Sequence, residues 1–311
     1  MGLRHHNIID KMDLEQKCAL LSGATAFGTR AYPSLDIPEL QFSDGPHGMR
    51  HQGPNAANHL GVGGSIPATC FPTAVTVANS WDPALAEELG RALGEEAVDQ
   101  GVNVVLGPGL CIKRSPLCGR NFEYLSEDPL LAGRMAAGIT RGVQKHPGRG
   151  VTVKHFAFNN QETNRLNSCS RVSKRAARDL YLRSFEIVIR QAQPHALMTS
   201  YNLLNGVHTS ESAELLESIL RQEWGFAGLV MTDWVVDGMT RPDCAYPRAT
   251  AAAPIKAGNE MFMPGCEADR QDILAALRGG DDQVPLSRSE LEKQAARVVR
   301  MARALGARRS S

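Results

Sequence analysis

A chain of 311 residues with 42% hydrophobic and 22% charged content can bury a sizeable core, which excludes global disorder. The formal net charge is +1 and the basic residues are scattered, which argues against nucleic acid and against an anionic membrane as partners. Seven cysteines with neither a C-x-x-C pair nor zinc-like spacing point to buried free thiols in a reducing compartment, not to a disulfide framework.

The first helix opens at Asp13, with Gln16 as its capping-box partner, and closes at Gly23. After a polar segment containing Gly and Pro, Leu40–Ser43 reads as a short strand ending in Asp44-Gly45-Pro46-His47-Gly48-Met49-Arg50. Gln52–Pro67 is a Gly/Asn/Pro-rich loop, and long loops inside compact domains are usually functional. Ala74–Asn79 is strand-like and runs into Asp82-Pro83, an N-cap followed by proline at the first helical position. That helix reaches about Gly101. Val102–Leu106 is a buried strand, followed by Gly107-Pro108-Gly109 and the charged loop CIKRSPLCGRNFEYLSEDP. Asp128-Pro129 starts the next helix by the same cap chemistry. Val151–Phe156 is a strand with Lys154 and His155 at its end. A helix from near Ser173 to about Gln193 leads to the strand Ala196–Ser200 and then Tyr201-Asn202. A helix around Glu214–Trp224 precedes Gly228–Thr232, a small apolar run too short for a helix, which reads as a buried parallel strand ending in Asp233-Trp234. Ala257–Met263 reads as one more strand, and two helices close the chain, the last opened by the box Ser287-x-x-Glu290.

Strand and helix alternate throughout, which predicts a parallel α/β fold. The expected architecture is a (β/α)8 TIM-barrel-like domain with an incomplete or irregular strand, because an eighth strand finds no place. There is no internal repeat and no phosphate-binding glycine loop. No stretch approaches the ~20 apolar residues of a membrane helix. The N-terminal MGLRHHNIIDKMDLEQK carries no long apolar run, so a cytoplasmic protein is expected.

The unusual polar groups fall just after strands: Asp44, Arg50, Arg120, Lys154, His155, Tyr201 and Asp233. In a barrel such positions converge on one mouth. Each also has a plainer structural account. Asp233 could cap the following helix, His155 could be a satisfied core histidine, Arg120 could pair with Glu123, and Asp44 could shape its Asp-Gly-Pro turn. Lysine is rarely buried without a partner, so Lys154 fits that account less well. Taken together they supply carboxylates, guanidinium forks and an ammonium around one cavity, as a polyhydroxylated substrate requires. Trp234 adds a flat apolar surface suited to the face of a sugar ring.

The stretches SDGPHGMR, GPGLCIKRSPLCGRNFEYLSEDP, KHFAFNNQETNR, SYNLLNG, EWGFAGLVMTDW and AGNEMFMPG resemble glycoside hydrolase family 3, in particular its bacterial β-glucosidases, in the family's order and over nearly the whole chain. The resemblance implies a retaining glycosidase with a barrel-type first domain and no metal or organic cofactor. It implies Asp233 as the nucleophile that forms a covalent glycosyl-enzyme, and Asp44, Arg50, Arg120, Lys154, His155, Arg165 and Tyr201 as ligands of the same sugar, with Trp234 as its wall. Lys154, Arg120 and Arg165 are expected to lower the Asp233 pKa. In two-domain members the acid/base glutamate lies on a second α/β sandwich domain, and residues 1–311 correspond to the barrel domain alone. The expectation is therefore an impaired β-glucosidase, its acid/base supplied by a separate domain or subunit. Apolar surface at the vacant docking face would favour a homodimer. Single-domain hexosaminidases of the family carry an Asp-His pair after their K-H-F segment. KHFAFNNQETNR has none, and Glu123 and Glu162 are expected to be structural. The alternatives are a single-domain β-N-acetylhexosaminidase-like enzyme and a non-catalytic sugar-binding barrel.

Overall fold

The computed structural model describes residues 5–52, 64–236, 245–246, 249–279 and 284–306. Most of the Gln52–Pro67 loop lies outside the described residues. The strands are β1 (Phe42–Asp44), β2 (Val104–Leu106), β3 (Gly150–Phe156), β4 (Cys169–Ser170), β5 (Ala196–Thr199), β6 (Leu203–Leu204), β7 (Val207–His208), β8 (Leu229–Trp234) and β9 (Met261–Met263). A 6-stranded sheet runs in the order β1-β2-β3-β5-β8-β9, with every pairing parallel, while β4, β6 and β7 form a separate small sheet. Chain order is sheet order, and the crossovers are helical, as a barrel-type α/β fold requires.

Alternate residues along β2, β5 and β8 serve two cores. Val104, Leu106, Met198, Met231 and Met261 pack in one cluster with the C-terminal helix Arg288–Gly306. Val105, Val151, Val153, Leu197 and Val230 pack in the other against the helices Pro83–Asp99, Pro129–Gln144 and Arg183–Ala192. Burial on both faces explains why these strands are apolar throughout rather than alternating. The helices Pro83–Asp99 and Pro129–Gln144 approach closely because of glycine. A Cβ on Gly142 would meet the Glu87 carbonyl oxygen at 2.1 Å, and one on Gly90 the Ile139 carbonyl oxygen at 2.3 Å.

The cap chemistry read from the sequence is present. Asp13 and Gln16 form a reciprocal box, and Asp82 and Asp128 accept from the backbone N–H of Ala84 and Leu130 at 2.8 and 2.7 Å. Glu290 N–H donates to Ser287 Oγ at 3.2 Å. The strand count is where expectation and structure part. Ala74–Ala78 is a helix, with Ala74, Val77 and Ala78 buried at i, i+3 and i+4, a helical and not a strand period. Ala252–Ala257 is also a helix. It stops at Gly258, whose φ of 104° turns the chain, so the last strand is only Met261–Met263. In place of further strands, Ser22 pairs with Phe262 beside β9 and Gly28 pairs with Gln41 beside β1. The segment 22–28 thereby joins the two sheet edges and curls the sheet. The chain thus has the α/β, TIM-barrel-like fold expected, with six parallel strands in its main sheet among the described residues. Cys18, Cys111 and Cys118 are buried free thiols, but Cys70 and Cys266 are exposed. No helix of the described residues is long and apolar enough to cross a membrane.

Candidate active site

β8 is buried along its whole length and delivers Asp233 to its C-terminal end. One carboxylate oxygen, Oδ1, accepts the Trp234 N–H at 2.8 Å. The other, Oδ2, is buried and has no hydrogen-bond partner. His155 Nε2 lies 3.7 Å from it. A buried carboxylate oxygen with no protein partner is destabilising unless water or a ligand completes it. Trp234 is fixed by donation from its indole N–H to the Ala26 carbonyl at 2.8 Å, and its ring packs on Phe27 at 5.2 Å between centroids. Tyr201, just after β5, donates to the Trp234 carbonyl at 2.9 Å and stacks under the Arg165 guanidinium at 4.8 Å.

The end of β3 supplies the adjacent pair. Lys154 Nζ lies 3.0 Å from Asp44 Oδ1, at the end of β1, and 3.9 Å from Glu123 Oε2. Arg120 pairs with Glu123 from the loop after β2. His155 is 1% exposed, and its Nδ1 lies 3.0 Å from the Tyr124 hydroxyl. Burial, then Arg120, Lys154 and Arg165, hold His155 well below its ordinary pKa, so the ring is neutral.

For Asp233 the pKa moves opposite to the sequence expectation. Burial raises its pKa, against Arg120, the Trp234 N–H, Lys154 and Arg165, which all act to lower it. The three cations are present, but desolvation of a carboxylate with one bare oxygen outweighs them.

Asp44, Arg120, Lys154, His155, Arg165, Tyr201, Asp233 and Trp234 line one cavity of about 190 Å³, together with Phe27 and Met198. Arg50 does not line it. Arg50 is exposed, and its backbone N–H closes the turn onto the Asp44 carbonyl at 2.8 Å, so the residue shapes the loop that carries Asp44. Larger surface grooves, such as that lined by Ala31, Pro33, Asp36 and Arg303, gather no comparable set of groups. Phe27 was missed because its Gly-rich segment carries no charged motif. Tyr124, Cys111 and Asn159 were missed because they lie behind the lining.

Asp44 is the other carboxylate of the lining, and Lys154 holds it. Burial would raise Glu123, but Lys154 and Arg120 keep it below its ordinary value, which suits an ion-pair partner and not a proton donor. Glu162 spends one oxygen on Arg165 at 2.8 Å and the other on Asn159 at 3.0 Å. Among the described residues no cluster of His, Cys, Asp and Glu could hold a metal ion.

The model of the glycosyl hydrolase family 3 N terminal domain matches residues 57–301. The exo-alpha-(1->6)-L-arabinopyranosidase of Bifidobacterium longum is 44% identical over 272 residues, 88% of this chain and 34% of the relative. The thermostable beta-glucosidase B of Acetivibrio thermocellus is 47% identical over 234 residues, 75% of this chain and 31% of the relative. Among solved structures, beta-glucosidase 3B from Thermotoga neapolitana in complex with alpha-D-glucose aligns with a TM-score of 0.83 and 36% identity, over 95% of this chain and 42% of that one. The chain spans about a third of the length of these two curated relatives.

Proposed function

The chain belongs to glycosyl hydrolase family 3, and on that premise we propose that it is the nucleophile-bearing barrel of a retaining exo-β-glycosidase of β-glucosidase type. The observation that carries this reading is Asp233 Oδ2, buried, unpaired and facing a cavity ringed by Asp44, Lys154, Arg120, Arg165 and Tyr201. A terminal glycosyl unit lies against Trp234 and Phe27, and its hydroxyls bond to the charged ring. Asp233 attacks the anomeric carbon, the aglycone leaves, and a covalent glycosyl-Asp intermediate forms. Arg120, Lys154 and Arg165 favour the ionised form that attacks. A second carboxyl group must protonate the leaving oxygen and then activate water. Asp44 is tied to Lys154, so the proposal places that acid/base outside the described residues.

The test is a side-by-side panel of 4-nitrophenyl β-D-glucoside, α-L-arabinopyranoside and N-acetyl-β-D-glucosaminide, with intact mass after a 2-fluoro glycoside. The expected result is turnover of the glucoside or the arabinopyranoside and a single covalent adduct, absent from Asp233→Ala. Preference for the glucosaminide would favour the hexosaminidase reading. Sugar binding without adduct or turnover would favour a binding barrel. If the acid/base is wanting in the isolated chain, aryl glycosides, whose leaving groups need little protonation, outperform alkyl glycosides; equal rates on both would overturn that point.

A further inference from the structure

Behind the cavity wall a chain of hydrogen bonds leads from an ion pair to the imidazole beside Asp233. Arg165 donates to Glu162 Oε2 at 2.8 Å. Glu162 Oε1 accepts from Asn159 Nδ2 at 3.0 Å, and this carboxylate, which can only accept, sets which way the Asn159 amide faces. The same NH2 group reaches the Tyr124 hydroxyl at 3.3 Å. Tyr124 therefore accepts from Asn159 and has its own proton to place, and His155 Nδ1 lies 3.0 Å away. Asn159, Tyr124 and His155 are buried, Tyr124 fully so. Cys111 supports the arrangement by donating its thiol to the His155 carbonyl at 3.2 Å.

We infer that Tyr124, oriented by Asn159 and Glu162, is a positioning residue that keeps His155 in the tautomer protonated on Nε2, so that the ring presents a donor and not a lone pair to Asp233 Oδ2 and to a sugar hydroxyl between them. The charge at Asp233 points the same way. With the proton on Nδ1, a nitrogen lone pair would face the carboxylate oxygen 3.7 Å away. The neutral state of His155, set first by burial and then by three cations, leaves a tautomer to be chosen. The reading of Asp233 as the nucleophile underlies the functional part of this inference but not the tautomer itself.

The experiment is 15N NMR of the full chain labelled at histidine, read without substrate, with steady-state kinetics on an aryl β-glucoside beside it. Wild type is expected to show a protonated Nε2 and a bare Nδ1 for His155. Tyr124→Phe should give a tautomer mixture, with the two nitrogen shifts drawn towards each other, and should lower kcat/KM about tenfold. Asn159→Ala keeps the hydroxyl but frees its rotor, so a smaller change in the same direction is expected. Protonation at Nδ1 in wild type, or an unchanged tautomer in Tyr124→Phe, overturns the inference. If Tyr124→Phe does not fold, Asn159→Ala carries the test, and an unchanged tautomer there overturns it. Failure of the glycosidase reading would show as absent turnover with the tautomer result intact, so the two outcomes are distinguishable.

Discussion

The two ends of β8 each bury a carboxylate, and they treat it in opposite ways. Against the start of the strand, reaching across from the residue just before β9, Glu260 is fully buried and fully satisfied: Oε1 takes Arg221 at 2.5 Å and Arg297 at 2.6 Å, and Oε2 takes the Val230 N–H at 2.6 Å. At its end Asp233 has one oxygen on a backbone N–H and one bare. Burial alone therefore does not mark a functional group. What separates the two carboxylates is an oxygen with no protein partner that faces a cavity, which Asp233 has and Glu260 does not.

Replacing each carboxylate tests that contrast, and the largest effect falls at Asp233. Asp233→Ala should lower kcat/KM on an aryl β-glucoside on the order of 10⁴-fold while the protein stays folded; activity within tenfold of wild type would break the comparison. Glu260→Ala should do the reverse, lowering stability in urea by about 3–5 kcal/mol because Arg221 and Arg297 lose their buried partner. A loss of the size seen for an exposed ion pair would show that the lower network matters little. Lys154→Met removes the ammonium beside Asp44 and should lower kcat/KM on the order of 10- to 100-fold, mostly through KM, with unfolding monitored as the control.

A smaller effect sharpens the comparison through pH. The Asp233 pKa is raised in the folded state by burial, so the favourable contribution belongs to the protonated form. It is fully present below the ordinary carboxylate value and is lost as pH rises through the raised one. Asp233→Asn should therefore be more stable than wild type near neutral pH, the gap closing as the medium becomes acidic. A melting-temperature difference that is independent of pH would contradict this. The same upward shift should move the acidic limb of kcat/KM above that of an exposed aspartate, and Arg165→Met, which removes one of the opposing cations, should move that limb higher still.

Much of this was legible in the sequence because local chemistry carried it. Asp82-Pro83, Asp128-Pro129 and the Ser287/Glu290 box start helices by interactions within a few residues, and the structure has all of them. The runs ending in Asp44, His155 and Asp233 were readable as strands with charged termini. Ala74–Ala78 was misread because a five-residue apolar run has no decisive period, and its helix is settled by which side chains find the core. Arg50 was placed in the site by motif; among the described residues it is exposed and does not line the cavity, while its backbone N–H closes the turn that carries Asp44.

The order of strands, the helix starts and the identity of the charged groups at the strand ends were determined by the sequence itself, since each depends on neighbours along the chain. Which of those groups meet, and in what charge state, was decided only by the tertiary structure. Asp44, Lys154 and Asp233 lie far apart in the chain but close the same cavity. The direction of the Asp233 pKa followed from depth of burial, a property of the whole packed barrel that no list of nearby cations contains.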